Sequence, residues 1–181
     1  MPTLTIELPQ HQAQTAINLR RWAELLADPG LTRIEGRVET DRHGHIIMSP
    51  PPAAQHGGMQ FEIAYRLRTL MGRGRVFTEC PISTADGVKA ADVAWASPER
   101  TRELGNRGCF PKAPEIGVEV LSPSNTEAEI SEKMALYFDA GAAEVWICGM
   151  VGNMEFFISP DSAPQPASGL CPQFPARVDL S

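Results

Sequence analysis

The sequence predicts an α/β or α+β fold in which helices cover a sheet. From residue 55 onward, stretches with helical spacing and stretches rich in strand formers follow in the order helix, strand, strand, strand, helix, strand, after an N-terminal helix and hairpin. The 181 residues, 43% of them hydrophobic, can bury a core, and no repeat or long linker requires a second unit. We therefore expect one domain over residues 1–181, with an N-terminal helix and hairpin (1–54), a core (55–148), and C-terminal strands with a proline-rich tail (149–181).

The N-terminal region predicts a helix and two paired strands. Residues 15–27 form the helix, and a Pro-Gly pair ends it. Its apolar face contains Ile17, Trp22, Leu25 and Leu26. Residues 31–39 alternate in polarity and residues 45–48 are apolar, and the short polar segment between them favours a hairpin. Three prolines at 50–52 end the hairpin because proline cannot continue a paired strand.

The core region predicts a second helix and then three strands. Residues 55–71 have one apolar helical face, made of Met59, Ile63, Leu67 and Leu70. Residues 75–79 and 90–96 are short and rich in strand formers, and we expect a loop between them. A further loop over 97–113 leads to a buried strand that ends at Ser122-Pro123.

The C-terminal third predicts one helix, two or three strands and a tail. Asn125-Thr126 can cap a helix over residues 127–140. Residues 144–148 and 153–158 read as strands, residues 160–175 as a proline-rich loop, and residues 176–180 as a last strand. The strand 153–158 can form an exposed edge, and such edges are covered by a tail or a partner. On this basis we expect a homodimer.

Two carboxylates lie inside predicted strands. Glu119 stands between Val118 and Val120, where an unpaired charge is costly. It either faces solvent or pairs with an arginine on an edge strand, or it binds a metal ion. Asp92 begins the preceding strand, so both carboxylates can converge on a hard divalent cation such as Mg²⁺. Lys133, on the following helix, can add an ammonium group to activate water at a phosphodiester, or it can pair with Glu129 four residues earlier.

Charge and cysteine usage restrict the partners and the compartment. Residues 1–112 carry 14 basic and 12 acidic side chains, whereas the rest carries 2 and 10, and the net charge is −6. This acidity argues against tight nonspecific binding to nucleic acid. The four cysteines lack a CxxC pair, which indicates free thiols in a reducing cytoplasm. No apolar run is long enough to span a membrane, and the first ten residues lack an export signal, so we expect a soluble cytoplasmic protein.

Four sequence segments resemble a known family. They are IIMSPPP at 46–52 followed by His56 and a helix, ADVAW at 91–95, EVLSPS at 119–124, and EKMALYFDAGAAEVWI at 132–147. Together they are similar to the Uma-type putative restriction endonucleases, a bacterial domain of unknown function within the PD-(D/E)XK nuclease superfamily. The resemblance covers nearly the whole chain. It implies a restriction-endonuclease-like fold, with a mixed central sheet flanked by helices around a nuclease-like core.

The resemblance also implies a site and an activity. Asp92 and Glu119 match the acidic residues that bind metal, and the backbone carbonyl of Val120 matches a further metal ligand. Glu39 resembles a recurrent family glutamate that can complete the cluster, and Glu35 competes for that role. Lys133 would supply the ammonium group. The implied function is hydrolysis of DNA phosphodiester bonds with Mg²⁺, or with Mn²⁺ in its place.

Two residues depart from the superfamily pattern, and the role of a third residue, His56, remains open. Leu121 stands where the superfamily name places lysine, and Ala91 replaces the customary proline before Asp92. His56 either contacts a scissile phosphate or metal, or it is a simple helix cap. The alternative function for the whole chain is a catalytically silent, nuclease-like binding or regulatory module.

Overall fold

The structure, a computed structural model, describes residues 11–180 and is built from two sheets and flanking helices. Helices are α1 (His11–Ala27), α2 (Ala54–Met71), α3 (Pro98–Leu104) and α4 (Glu127–Asp139). Strands are β1 (Arg37–Thr40), β2 (Ile46–Ser49), β3 (Arg75–Thr84), β4 (Gly87–Ala96), β5 (Ile116–Val120), β6 (Glu144–Cys148) and β7 (Met154–Phe157). The predicted class, a mixed sheet with flanking helices, an N-terminal helix and a hairpin, is confirmed. The segment in which no export signal was expected lies outside the described residues.

The main sheet has the strand order β3-β4-β5-β6-β7, and β1 pairs with β2 in a separate ribbon. The β5–β6 pair is parallel, and the other neighbouring pairs are antiparallel. Helix α2 buries Met59, Ile63 and Leu67 on one face of the sheet, as predicted. Helix α4 buries Met134 and Tyr137 on the opposite face. The two helices therefore enclose the sheet and approach its centre from both sides.

Strands β3 and β4 are each 10 residues long, so the loop predicted between residues 79 and 90 is wrong. A two-residue turn connects them, and Gly87 follows it with a φ of +83°, which glycine adopts without strain. Pro81 was taken as a loop signal. It lies instead in the edge strand of the sheet, and its carbonyl oxygen points away from β4 to accept from Phe110 N at 2.9 Å. A proline in that position removes no hydrogen bond from the ladder.

The loop predicted over 97–113 begins with helix α3. Ser97 caps this helix, since its Oγ accepts from Arg100 N at 3.1 Å, and Pro98 occupies the first turn. Serine before proline is a usual signature of a helix start, but this helix is short and has no clear apolar periodicity. Arg100 is buried and donates to the backbone oxygen of Ala113, which ties α3 to the segment that enters β5.

The buried face of α1 differs from the predicted one. Trp22 and Leu25 are buried, but Ile17 and Leu26 are exposed, and two polar residues, Gln14 and Asn18, are buried in their place. Asn18 Nδ2 donates to Thr84 O at 2.8 Å and to Ser83 Oγ at 2.9 Å. The helix therefore packs across the β3–β4 turn, whose buried carbonyl groups require donors.

The tail forms no last strand over residues 176–180, in contrast to the prediction. It still covers the outer edge of β7 through backbone bonds, including Gln165 N to Phe156 O at 2.7 Å and Met154 N to Ala176 O at 2.8 Å. Buried Glu144 anchors the tail, because its carboxylate accepts from Ser168 Oγ at 2.6 Å and from two backbone amides. The edge on which a dimer was expected is therefore occupied by the chain itself.

No helix in residues 11–180 has the length and apolar character needed to cross a membrane. The four cysteines are free and buried.

Candidate functional site

The site lies where β4 and β5 separate. The ladder between them includes Val93 opposite Val118 and ends there, so Asp92 and Glu119 stand one residue beyond the last pair. Leu121 N donates to Cys148 O on the β6 side, and the neighbouring amide of Val120 therefore points toward β4. The Asp92 carboxylate fills the gap and accepts from that amide, with Oδ2 2.6 Å from Val120 N. The separation of the strands creates a polar cleft inside an otherwise apolar sheet.

Side chains from three other elements satisfy the unpaired edge of β4. Glu39 Oε1, from β1, accepts from Ala90 N at 2.9 Å. Lys133 Nζ, from α4, donates to Ala90 O at 3.4 Å, and Gln60 Nε2, from α2, donates to Asp92 O at 2.7 Å. Buried backbone groups need such partners. The same contacts bring the ribbon, helices α2 and α4, and the sheet to one point.

Asp92 is 1% exposed and is held in its charged form. Burial acts to raise its pKa, but hydrogen bonding from His56 and the charge of Arg37 outweigh burial, so the pKa lies below the ordinary value. Arg37 donates from Nη2 to Asp92 Oδ1. The guanidinium also makes a double contact with Glu79, at 2.8 Å and 2.9 Å. Asp92 is therefore a fixed carboxylate with Arg37 on one side and His56 on the other.

Glu119 is 4% exposed and differs from Asp92 in its protonation. Burial raises the pKa of Glu119 to about 7, because loss of hydration outweighs the attraction of Lys133. Tyr137 donates to Oε1 at 2.7 Å, and Lys133 Nζ lies 3.4 Å from Oε2. Near neutral pH this carboxyl group can hold or release a proton.

Lys133 contacts Glu39 as well as Glu119, with Nζ 2.9 Å from Glu39 Oε1. Burial acts to lower the pKa of Lys133, but Glu119 and Glu39 outweigh it, and the pKa is raised. The alternative pairing with Glu129 is not formed, since Glu129 Oε2 accepts from Thr126 N in a capping box. The structure thus directs Lys133 into the cleft. Glu35, the competing glutamate, lies exposed before β1.

His56 lies at the start of α2 and faces the same cleft. Its Nε2 is 3.1 Å from Val120 O and 3.4 Å from Asp92 Oδ2. The hydrogen bond to Asp92 is the largest of several influences, and it raises the pKa of His56. His56 is therefore a member of the site and not a simple cap.

Arg37, Glu79, Gln60 and Tyr137 belong to this cluster and were absent from the predicted site. Two of them had a signal in the sequence. Arg37 lies two residues before Glu39, on the same face of a strand, and Tyr137 lies four residues after Lys133, on the same face of a helix. The other two depend on packing between distant segments and left no pattern.

The donor chemistry of the cleft fits one hard divalent cation. Asp92, Glu119 and the Val120 carbonyl supply oxygen atoms of the type that Mg²⁺ and Mn²⁺ prefer. In the described residues these atoms already accept hydrogen bonds from side chains of the protein or, at Asp92 Oδ2, from the Val120 amide. Across residues 11–180, no group of three or more His, Cys, Asp or Glu side chains is arranged to hold a metal ion. Metal binding would therefore require an exchange of at least one of these internal contacts.

The chain resembles known proteins in both sequence and fold. The sequence pattern of the Uma2 family, described as putative restriction endonuclease, matches residues 22–165. No curated protein matches the chain. The chain is similar to a crystal structure described as a putative nuclease belonging to DUF820 from Anabaena variabilis, with a TM-score of 0.65 and 17% sequence identity. The match covers 83% of this chain and 92% of that one, and it shows a shared fold.

Proposed function

The chain belongs to the Uma2 family, described as putative restriction endonucleases, and from this premise we propose that it is a metal-dependent endonuclease that hydrolyses DNA phosphodiester bonds. One observation carries the proposal. Asp92, Glu119 and Lys133, from β4, β5 and α4, meet in one cleft where the central strands separate. Two carboxylates and an ammonium group in a shared polar cleft are suited to phosphodiester hydrolysis.

Each residue has a separate role in this proposal. Asp92, Glu119 and the Val120 carbonyl would hold Mg²⁺, or Mn²⁺ in its place, and Glu39 would complete the acidic cluster. A bound divalent cation would supply Lewis acidity at the scissile phosphate and a more acidic water. Tyr137 holds Glu119 in a fixed orientation through its 2.7 Å hydrogen bond.

Lys133 acts on the phosphate. Its raised pKa keeps the ammonium group charged at neutral pH, and Glu39 and Glu119 fix its position. From there it orients the attacking water or stabilises the negative charge that develops on the phosphate oxygens.

A catalytically silent binding or regulatory module is the second candidate. The contacts of the carboxylates favour it, since Arg37 and His56 lie against Asp92 and Lys133 lies against Glu119. The net charge of −6 agrees with weak binding to phosphate. Such a module would keep its partner in variants that lack Glu119 or Lys133.

Thermal unfolding with and without metal separates these candidates. Mg²⁺ or Mn²⁺ should raise the Tm of the wild type. At a metal concentration roughly 100 times the Kd, the free energy of unfolding should increase by about 2.7 kcal/mol. Asp92→Asn should lose most of this gain because it weakens one of the two carboxylate ligands. An equal shift in both proteins, or no shift in either, would remove Asp92 from a metal site.

We also propose that the protein acts in the cytoplasm as a homodimer. The tail covers β7, so the dimer interface must lie on a different surface. In the described residues β2 pairs with β1 alone, and Ile46, Ile47 and Met48 on this strand are all exposed. An apolar strand with a free edge is suited to pairing with a second copy.

A further inference from the structure

The two oxygen atoms of Asp92 are held in different ways. Oδ1 accepts from Arg37, whose guanidinium is fixed from the other side by two hydrogen bonds to Glu79. The Arg37 side chain is only 17% exposed. Because arginine keeps its charge at any ordinary pH, Arg37 does not lose this contact by deprotonation. Moving the Arg37 guanidinium away from Oδ1 and out of the cleft would break all three of these hydrogen bonds.

Of the two groups at Oδ2, the His56 side chain can leave more easily. Oδ2 accepts from the backbone amide Val120 N, and His56 Nε2 lies 3.4 Å away. The same nitrogen lies 3.1 Å from Val120 O. A carboxylate and a carbonyl group both accept, so Nε2 must carry the hydrogen atom. The imidazole N–H therefore points between two of the three oxygen groups that the proposed function assigns to the metal.

His56 has few other restraints. Its Nδ1 is buried and has no hydrogen-bond partner in the described part of the chain, so the ring is held at one nitrogen only. The residue lies in the first turn of α2, whose preceding residue, Ala53, forms no side-chain cap. Displacing the imidazole therefore breaks contacts at one nitrogen only and no hydrogen bond of the helix backbone.

We infer that the site takes one divalent cation per chain, that this cation enters by displacing His56 from Asp92 Oδ2 and Val120 O, and that Arg37 keeps Oδ1 closed to a second cation. A carboxylate can bridge two metal ions, about 3.5–4 Å apart, by offering one oxygen to each. In this chain Arg37 already occupies Oδ1, which leaves Oδ2 for a cation. This inference rests on the proposed metal site, and it assigns His56 as a gate and Arg37 as a fixed positive charge.

Metal titration of the metal-free protein tests the inference without measuring activity. Mn²⁺ is titrated into wild type, His56→Ala, Asp92→Asn and the control His45→Ala, and free Mn²⁺ is followed by electron paramagnetic resonance at fixed pH. His45 is a suitable control because it is exposed and pairs with Asp41 in the hairpin turn. We expect one ion per wild-type chain, and one ion bound on the order of tenfold more tightly in His56→Ala. His45→Ala should match the wild type.

A second readout follows His56 directly. The Cε1 proton resonance of His56 should shift on addition of diamagnetic Mg²⁺, and that of His45 should not. Two ions per wild-type chain would overturn the role of Arg37. One bound ion, with unchanged affinity in His56→Ala and an unmoved His56 resonance, would overturn the role of His56 as a gate. If binding is lost in Asp92→Asn in that case, the proposed function stands. Absence of binding in both wild type and His56→Ala would overturn the inference together with metal dependence.

Discussion

At the scale of single residues, the site combines carboxylates of opposite behaviour. Asp92 keeps its charge because Arg37 and His56 surround it, whereas burial raises the pKa of Glu119 to about 7. One carboxyl group is thus a permanent anion, and its neighbour across the strands changes charge near neutral pH. Environments that separate two carboxyl groups in this way are typical of functional sites.

This difference predicts a pH dependence of stability. Glu119 ionises near pH 4.5 in the unfolded chain and near 7 in the fold, so the stability it contributes is present below pH 4.5 and is lost as pH rises to about 7. Relative to Glu119→Gln, the metal-free wild type should lose roughly 3 kcal/mol over this range. Urea unfolding at several pH values in a chelator measures the difference. A difference that stays constant from pH 4.5 to 8 would contradict the raised pKa.

The sequence motifs named Asp92, Glu119, Lys133 and Glu39 as candidates, and the structure brings all four together. The residues that contact these four were harder to predict from the sequence. The contact of Arg37 with Asp92 joins residues 55 positions apart, and it depends on how the ribbon lies over β4. Local patterns report which side of a strand a residue occupies, but they do not report which distant element covers that side.

At the scale of elements, α4 carries two residues of the site, and its start determines where they lie. Thr126 Oγ1 accepts from Glu129 N, and the Glu129 carboxylate accepts from Thr126 N, which forms a complete capping box. The cap fixes the first turn of α4, less than two turns before Lys133. Cap residues were visible in the sequence, and this helix was predicted within one residue of its observed end.

Thr126→Ala should lower the free energy of unfolding by about 1 kcal/mol, because it leaves an amide of the first turn without its partner. Ser131→Ala is a matched control, since Ser131 is exposed on the same helix. Chemical denaturation of both variants measures the effect. Equal stability of Thr126→Ala and Ser131→Ala would show that the capping box does not hold α4 in solution.

Elements that depend on tertiary contacts were harder to predict. Ten-residue strands β3 and β4 read as two short strands, because Pro81, Asp86 and Gly87 carry loop signals. The edge position of Pro81 removes the penalty that its type would impose in a central strand. The burial of polar Asn18 on α1 also depends on tertiary contacts, since its hydrogen-bond partners include a carbonyl group 66 residues away, at the β3–β4 turn.

At the scale of the whole molecule, the tail and the ribbon decide which surfaces remain free. Sequence reasoning left the edge of β7 open to either a tail or a partner, and the chain's own residues cover it. The reason was not visible in advance. The carboxylate of buried Glu144 accepts hydrogen bonds from Ser168, Gly169 and Leu170. No local sequence pattern links Glu144 to these residues.

The homodimer proposed through β2 predicts a change in molecular mass. Wild type should be dimeric at tens of micromolar protein, and Met48→Lys should shift it toward monomer because it places a charge in the apolar strand. Met150→Lys, at another exposed methionine, should remain dimeric. Light scattering coupled to size exclusion measures the mass. A monomeric wild type would contradict the proposal, and a dimer unaffected by Met48→Lys would place the interface elsewhere.

The proposal that β4, β5 and α4 together form a catalytic cleft is tested most directly by DNA cleavage. Wild type should cleave plasmid, single-stranded or branched DNA in Mg²⁺ and not in a chelator. Glu119→Gln and Lys133→Met should each lower the rate by at least about 100-fold while remaining folded, as judged by circular dichroism and urea unfolding. Arg102→Met, at an exposed cation on α3, should cleave like the wild type. Equal cleavage by all four proteins, or no Mg²⁺-dependent cleavage by the wild type on any of these substrates, would contradict this account.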